Sequence, residues 1–299
     1  MSATQATQTQ QRPSVQWVAD VGGSHVTAAI VDVESPRPRI LRRETAPVET
    51  QGKADEILGS ITETLLRVGE DATGWMVALP GPFDYERGTG TFDGVAKFGA
   101  LAGLDVRGRL SAMLGVPAAR LRFVNDAVAY AIGEWSVAPR RPDRFVCITL
   151  GTGVGSAFLD RGRPVTAGDD VPPHGWAHLL KIDGAPLEDS VSTRAIQRRY
   201  AQGGGPALSV RDIADRARHG EVLANSVLDR AMFELGEALA PWIASFGATE
   251  TVVGGSMARS WDVLHAGFER GVRTVAGSVQ VAASRLLDDA PLIGAAVSV

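Results

Sequence analysis

Residues 15–33 read VQWVADVGGSHVTAAIVDV, and residues 145–165 read FVCITLGTGVGSAFLDRGRPV. In each, an apolar strand meets a glycine-rich turn and resumes as a second strand, the pattern of a tight strand-turn-strand unit. The turns DVGGS and GTGVG therefore read as equivalent devices in two halves of one molecule. The first turn sets the carboxylate of Asp20 at a strand end beside Gly22, Gly23 and Ser24. Flexible backbone of this kind brings N–H groups close to a phosphate, and Asp20 suits a hydrated Mg²⁺, although a plain hairpin turn has the same composition. Gly151, Thr152, Gly153 and Gly155 form a second candidate phosphate cradle, and Gly254-Gly255 precede a predicted helix starting near Ser256 whose N-terminal dipole suits an anion.

The chain between and after these units alternates strands with helices. Residues 54–68 carry Ile57, Ile61, Leu65 and Val68 at helical intervals, and residues 75–84, WMVALPGPFD, give a strand running into a turn fixed by Pro80, Gly81 and Pro82. Helices are predicted over 105–114 and 127–135, with Asn125 or Asp126 as the cap of the latter. Residues 222–246 trace an apolar stripe through Val227, Ala231, Leu235, Leu239 and Trp242, as one helix or as two divided at Pro241. A strand, a turn and an apolar helix close the chain over 279–299. Recurrent glycine-rich strand ends favour an α/β enzyme with a cleft over a helical module or a solenoid.

Composition narrows the function classes. The 299 residues are 44% hydrophobic and 21% charged, which suits a folded core. Thirty basic and 34 acidic residues leave a net charge of -4 and no field that would steer nucleic acid. Arg140-Arg141 and Arg198-Arg199 read as solvated surface. The single cysteine, Cys147, lies in an apolar run, so neither an intramolecular disulfide nor a multi-cysteine zinc site can form. The polar start, residues 1–14, reads as a frayed tail without the basic and apolar regions of a secretory signal, and no apolar run suits a membrane span. The expectation is a soluble, cytoplasmic protein that binds neither nucleic acid nor membrane.

Neither glycine turn matches the GxxxxGK[ST] loop or the full dinucleotide fingerprint, which weakens a P-loop nucleotidase and a nicotinamide dehydrogenase. Three cradles around one nucleotide explain the pattern better. Asp126, at a strand end and in the first turn of a helix, is the strongest acid-base candidate: it suits taking a proton from a hydroxyl that attacks a phosphoryl group. A mere helix cap is the competing reading.

Taken in order, DVGGSHVTAAIVDV, PGPFD, FVNDAVAYAIGEW, ITLGTGVGSAFLDRG, LEDSVSTRAI, VVGGSMA and DDAPLIGAA resemble a ROK-family sugar kinase, similar to bacterial glucokinases, over residues 15–299. The resemblance implies a two-domain actin/hexokinase-like (ribonuclease-H-like) α/β fold with ATP, Mg²⁺ and a sugar meeting in a central cleft. It implies a small domain over 15–124, a large one over 125–284, and a last helix, 285–299, returning to the small domain. Asp20 with Gly22, Gly23 and Ser24 resembles the first phosphate motif, residues 151–155 the second, and Gly254-Gly255 the nucleotide-side motif. Asp126 falls on the family's catalytic base, Asn125 on its sugar-binding asparagine, and Pro80-Gly81 on the acceptor loop, with Asp84 as a turn residue. His178 and Glu188 fall on sugar-binding positions. A homodimer is also implied.

Two departures concern the acceptor loop, residues 168–189, GDDVPPHGWAHLLKIDGAPLED. Many members carry GExGH, whereas here Gly175, or with a one-residue shift Trp176, stands in place of the glutamate. His174, Asp170 or water would have to satisfy the sugar oxygen involved, since an unmade buried hydrogen bond costs about 1–3 kcal/mol. The CxCGxxGC segment that holds zinc in many members is replaced by KIDGAPLEDS, so no structural zinc is expected. Pro172, Pro173 and Trp176 are expected to stiffen the loop instead. These changes spare the phosphoryl-transfer core and point the acceptor away from plain glucose, towards a hexose of another kind, a modified sugar or a sugar-like cyclitol. A catalytically silent sugar-binding or regulatory protein is the alternative. A DNA-binding repressor would need a helix-turn-helix, and an acetate-type or hydrolytic phosphotransferase of related fold would need a different acceptor constellation.

Overall fold

A computed structural model describes residues 14–92 and 97–298. The tail expected over 1–14 lies outside them except for Ser14. The first half contains β1 (Val15–Val21), β2 (His25–Asp32), β3 (Arg39–Pro47), α1 (Ala54–Val68), β4 (Trp75–Leu79), the small hairpin β5 (Phe83–Asp84) and β6 (Thr89–Gly90), α2 (Val106–Leu114) and β7 (Leu121–Asn125). Helix α3 (Asp126–Val137) leads to β8 (Arg144–Leu150), β9 (Val154–Asp160), β10 (Arg163–Pro164) and a second hairpin, β11 (Lys181–Ile182) and β12 (Ala185–Pro186). Then follow α4 (Glu188–Val191), α5 (Thr193–Gln202), α6 (Val210–Arg218), α7 (Val222–Phe246), β13 (Glu250–Gly254), α8 (Trp261–Val272), β14 (Gln280–Ala283) and α9 (Ala290–Val297).

The two glycine turns do mark a repeated design. One sheet runs β3-β2-β1-β4-β7 and the other β10-β9-β8-β13-β14. In each, a strand and its antiparallel partner meet across the glycine turn, β1 with β2 and β8 with β9. A third antiparallel strand extends the partner's side, and two parallel strands follow on the other.

Both faces of the leading strands are buried, as a sheet covered on both sides requires. On β1, Ala19 and Val21 pack with Ile57, Ile61 and Leu65 of α1, while Val18 packs with Leu292 and Ala295 of α9. On β8, Val146, Ile148 and Leu150 pack with α7 and α8, while Phe145 and Cys147 pack with Tyr130, Ala131 and Ile132 of α3. Helices α3 and α9 therefore lie back to back between the sheets. Their contact is close because two glycines meet it: a Cβ at Gly294 would collide with the Ala129 carbonyl, and one at Gly133 with the Ala290 carbonyl.

Three local expectations need correction or sharpening. Helix α7 runs unbroken through Pro241. Pro241 and Glu237, whose carbonyl loses its hydrogen bond there, are both exposed, so water can satisfy the freed group. Trp242 of the expected stripe is only partly buried, and Ile243 fills the core position. The helix expected near Ser256 begins at Trp261, after a 3₁₀ turn over Ser256–Ser260. Gly255, at φ 79°, folds the chain back over Leu150, and the Ala258 N–H closes the tight turn on the Gly255 carbonyl at 3.1 Å.

Candidate active site

The ends of β1 and β7 open on a cavity of about 450 Å³ between the sheets, lined by Asp20, Gly22, Ser24, His25, Asp126, Tyr130, Thr149 and Asp288, with Arg43 at its rim. Two of the predicted chemical groups, Asp20 and Asp126, therefore share one space. Asp126 is the first helical residue of α3. Its Oδ1 accepts the Ala127 N–H at 2.8 Å, which fixes the carboxylate at the positive end of the helix. Burial raises its pKa, while the backbone N–H groups and the Lys97 ammonium oppose the rise. Asp20 is pushed up to about 7 by burial and then by the negative charges of Asp126 and Asp288. A divalent ion bound there would offset the repulsion between these carboxylates, in competition with the proton.

That donor set fits Mg²⁺ in one limited way. Carboxylate oxygens are the hard ligands the ion prefers, and one or two of them suffice when phosphates and water supply the rest. Among the described residues no group of three or more His, Cys, Asp or Glu side chains is arranged to hold a metal.

Asn125 settles which residue caps α3: its Oδ1 accepts the Val128 N–H at 3.1 Å. Its Nδ2 donates to the Tyr85 hydroxyl at 3.0 Å, and that hydroxyl donates to the Leu79 carbonyl at 3.1 Å. Tyr85, which sequence reasoning missed, thus ties Asn125 to the end of β4, immediately before Pro80 and Gly81. Asp84 is the turn residue expected, accepting the Arg87 N–H at 2.8 Å.

The second glycine turn is held by two side chains. Glu188, at the start of α4, accepts the Val154 N–H at 2.7 Å through Oε1, and the Thr193 hydroxyl donates to the Gly151 carbonyl at 2.5 Å. Gly153 faces that carboxylate so closely that a Cβ would strike it. Glu188 is therefore a turn-holding residue with Oε2 left over. Gly155 abuts Thr149 and Ala127, which brings this turn next to the Asp126 backbone. At the third turn, the Gly255 N–H is spent on the Tyr130 hydroxyl at 3.1 Å. Tyr130 donates onward to Ser284 at 2.8 Å, and Ser284 donates to the fully buried Glu134 at 2.5 Å. The Gly255 amide is thus not a free phosphate donor here; the relay instead ties the turn to α3.

Residues 168–189 form a surface segment built around Trp176. His174 and His178 are exposed and flank Trp176, with ring centroids 4.9 Å and 5.5 Å away. The protein packed around His178 lowers its pKa, and Glu188 pulls the other way. Asp170, one of the replacements considered for the absent glutamate, is paired with Arg144 at 3.2 Å. The loop is stiffened from below by Ser156, a buried side chain of β9 that accepts the Ala177 N–H and donates to the Gly175 carbonyl, each at 2.7 Å. His178, Glu188, Asn125, Pro80 and Gly81 do not line the Asp20–Asp126 cavity itself. A hydrophobic run flanked by a small polar residue gave no sign that Ser156 would serve the neighbouring loop.

Paired five-stranded sheets of the same strand order, with a strand-end carboxylate and a helix-start carboxylate lining one cavity between them, define an α/β protein of the actin/hexokinase-like fold. Solved structures agree on the fold: a ROK family glucokinase from Streptomyces griseus, in complex with glucose and AMPPNP, superposes with a TM-score of 0.77 at 22% identity, covering 95% of this chain and 99% of that one. A ROK family transcriptional regulator, a homologue of the E. coli MLC protein, superposes with a TM-score of 0.78 at 20% identity, covering 94% of this chain and 76% of that one. In sequence, a glucokinase of Thermotoga maritima is 27% identical over 93% of this chain and 94% of its own length. The ROK family model matches residues 18–299, and the chain belongs to the ROK family.

Proposed function

We propose that this chain is an ATP-dependent kinase that phosphorylates a hydroxyl of a hexose, modified sugar or sugar-like cyclitol. One observation carries the reading: Asp126, at the start of α3, and Asp20, beside the first glycine turn, line the same cavity. The likeness to a glucokinase over nearly the full length of both chains supports it. In the reaction, Asp126 accepts the proton of the acceptor hydroxyl, and the oxygen so freed forms a bond to the terminal phosphorus of ATP. The bond from that phosphorus to the bridging oxygen breaks, and ADP leaves with the electron pair. Asn125, held by Tyr85, orients the acceptor, with His178 and the free oxygen of Glu188 reaching it from the loop on the other side. Backbone at residues 22–24 and 151–155 cradles phosphate, Gly254-Gly255 bound the nucleotide side, and Asp20 holds Mg²⁺. That ion would neutralise phosphate charge as transfer proceeds.

The residues assigned to each role lie on two lobes, 15–124 with 285–299 and 125–284, whose approach aligns the acceptor and excludes water. A homodimer is the assembly we assign. No helix among the described residues is long and apolar enough to cross a membrane. The second reading, a silent sugar-binding protein, draws support from the likeness to a regulator of the same fold. Incubation with ATP and Mg²⁺ across hexoses, amino sugars and cyclitols, with the ester identified by ³¹P NMR, separates them. A phosphate ester formed in step with ADP supports the kinase, whereas acceptor binding without ester supports the silent protein.

A further inference from the structure

The Lys97 ammonium lies against Gly23 of the first glycine turn. A Cβ added at Gly23 would collide with its Nζ, so the ammonium rests on the backbone that the proposed phosphate would touch. No ion pair or hydrogen bond engages this ammonium among the described residues. The side chain is part-buried, and its base is anchored. Phe98, the next residue, is 1% exposed, packs against Phe92 at 5.4 Å and donates its N–H to the Thr50 carbonyl at 2.8 Å. Thr50 in turn donates its hydroxyl to the Gly23 carbonyl at 3.3 Å. One residue thus ties the Lys97 segment and the glycine turn into a single unit. A cation without an ion-pair partner among the described residues, resting on a candidate phosphate-binding turn and close enough to Asp126 for its charge to act on that carboxylate, stands where charge develops on a transferring phosphoryl group.

The geometry points to Lys97 as a further catalytic residue, a fixed cation that touches the phosphoryl group in transit between ATP and the acceptor oxygen. This rests on the kinase reading above and adds to it the source of transition-state charge on the protein side. Nothing is consumed or created at Lys97 while the phosphorus–oxygen bonds exchange and the acceptor proton goes to Asp126. A second consequence follows for the base. The charged and titratable groups around Asp126 are Asp20 from β1, Asp288 ahead of α9, Tyr85 from the β5–β6 hairpin, Tyr130 from α3, and His25 and Arg43 at the cavity wall, with Lys97 opposing the carboxylates. Removing the Lys97 charge leaves Asp126 harder to ionise.

The test compares wild type, Lys97→Met and Lys97→Arg as full-length chains with ATP, Mg²⁺ and the best neutral acceptor. The expected result for Lys97→Met is a fall in kcat of about 10²-fold, in the range for loss of one charge-stabilising donor, with acceptor KM changed less than about threefold. The acid limb of its kcat/KM profile should move to higher pH, and Lys97→Arg should recover part of the turnover. A melting temperature matching wild type shows that folding is intact, and the partial recovery by arginine is a second guard. Turnover within about twofold of wild type with an unmoved acid limb overturns the assignment. A loss confined to acceptor KM also overturns it, because the cation would then bind a group on the acceptor. If wild type itself forms no ester with any acceptor, the kinase reading fails first and takes this proposal with it.

Discussion

Burial of Asp20, reinforced by the like charges around it, makes a stability prediction with a definite sign. In the folded protein Asp20 holds its proton up to about pH 7, against 3.8 for the ordinary group. Between those values the folded state binds a proton that the unfolded state has lost, so this group's contribution favours folding at low pH and is lost as pH rises through about 7. A shift of about three units corresponds to about 4 kcal/mol at the alkaline end, at 1.36 kcal/mol per unit. Asp20→Asn keeps the shape and removes the charge. Its stability advantage over wild type should therefore widen by about 2–3 kcal/mol between about pH 5 and about pH 8, then level off. Urea unfolding at a series of pH values, without Mg²⁺ or nucleotide, reads the gap. A gap that stays constant or narrows with rising pH would refute the claim that like charges and burial hold Asp20 protonated. Loss of kinase activity in the same variant would be consistent with a site that gives up stability for charge placement.

Other substitutions probe other parts of the account. Proton competition at Asp20 should weaken Mg²⁺-nucleotide binding as pH falls below about 7, and calorimetry at several pH values checks this. Gly294→Ala pushes a methyl group into the Ala129 carbonyl and should cost about 1–3 kcal/mol in denaturant unfolding, whereas the solvent-facing Gly99→Ala should not. Tyr85→Phe frees the Asn125 amide and should raise acceptor KM about three- to tenfold while leaving ATP KM alone, read in steady-state kinetics. Ser156→Ala removes two 2.7 Å hydrogen bonds and should speed hydrogen exchange at the Ala177 amide, with a stability loss of about 1–3 kcal/mol.

The repeated half-fold was legible because its signal is local: apolar strand, glycine turn, strand. Helix α1 was legible to its ends, since Ile57, Ile61, Leu65 and Val68 bury one face at helical spacing. The positions of Asp20 near a strand end and Asp126 at a helix start were legible because strand ends and helix starts announce themselves in sequence. What was hidden depends on approach between distant segments. Tyr85 meets Asn125 forty positions away, Ser156 reaches under residues 175–177, and Lys97 comes to rest on Gly23. None of these three has a periodicity or motif of its own. Gly133 and Gly294 likewise look like interchangeable small residues until α3 and α9 are seen in contact. The hydrogen bond from the Val154 N–H of the second glycine turn to Glu188 was also hidden, since it joins residues 34 positions apart.

The central claim is that Asp126 takes the acceptor proton during transfer from ATP. Phosphate-ester formation by wild type and Asp126→Asn, measured side by side with calorimetric binding of nucleotide and acceptor, tests it most directly. Loss of about 10²- to 10⁴-fold in turnover with both ligands still bound is the predicted result. Wild-type turnover by Asp126→Asn would contradict it.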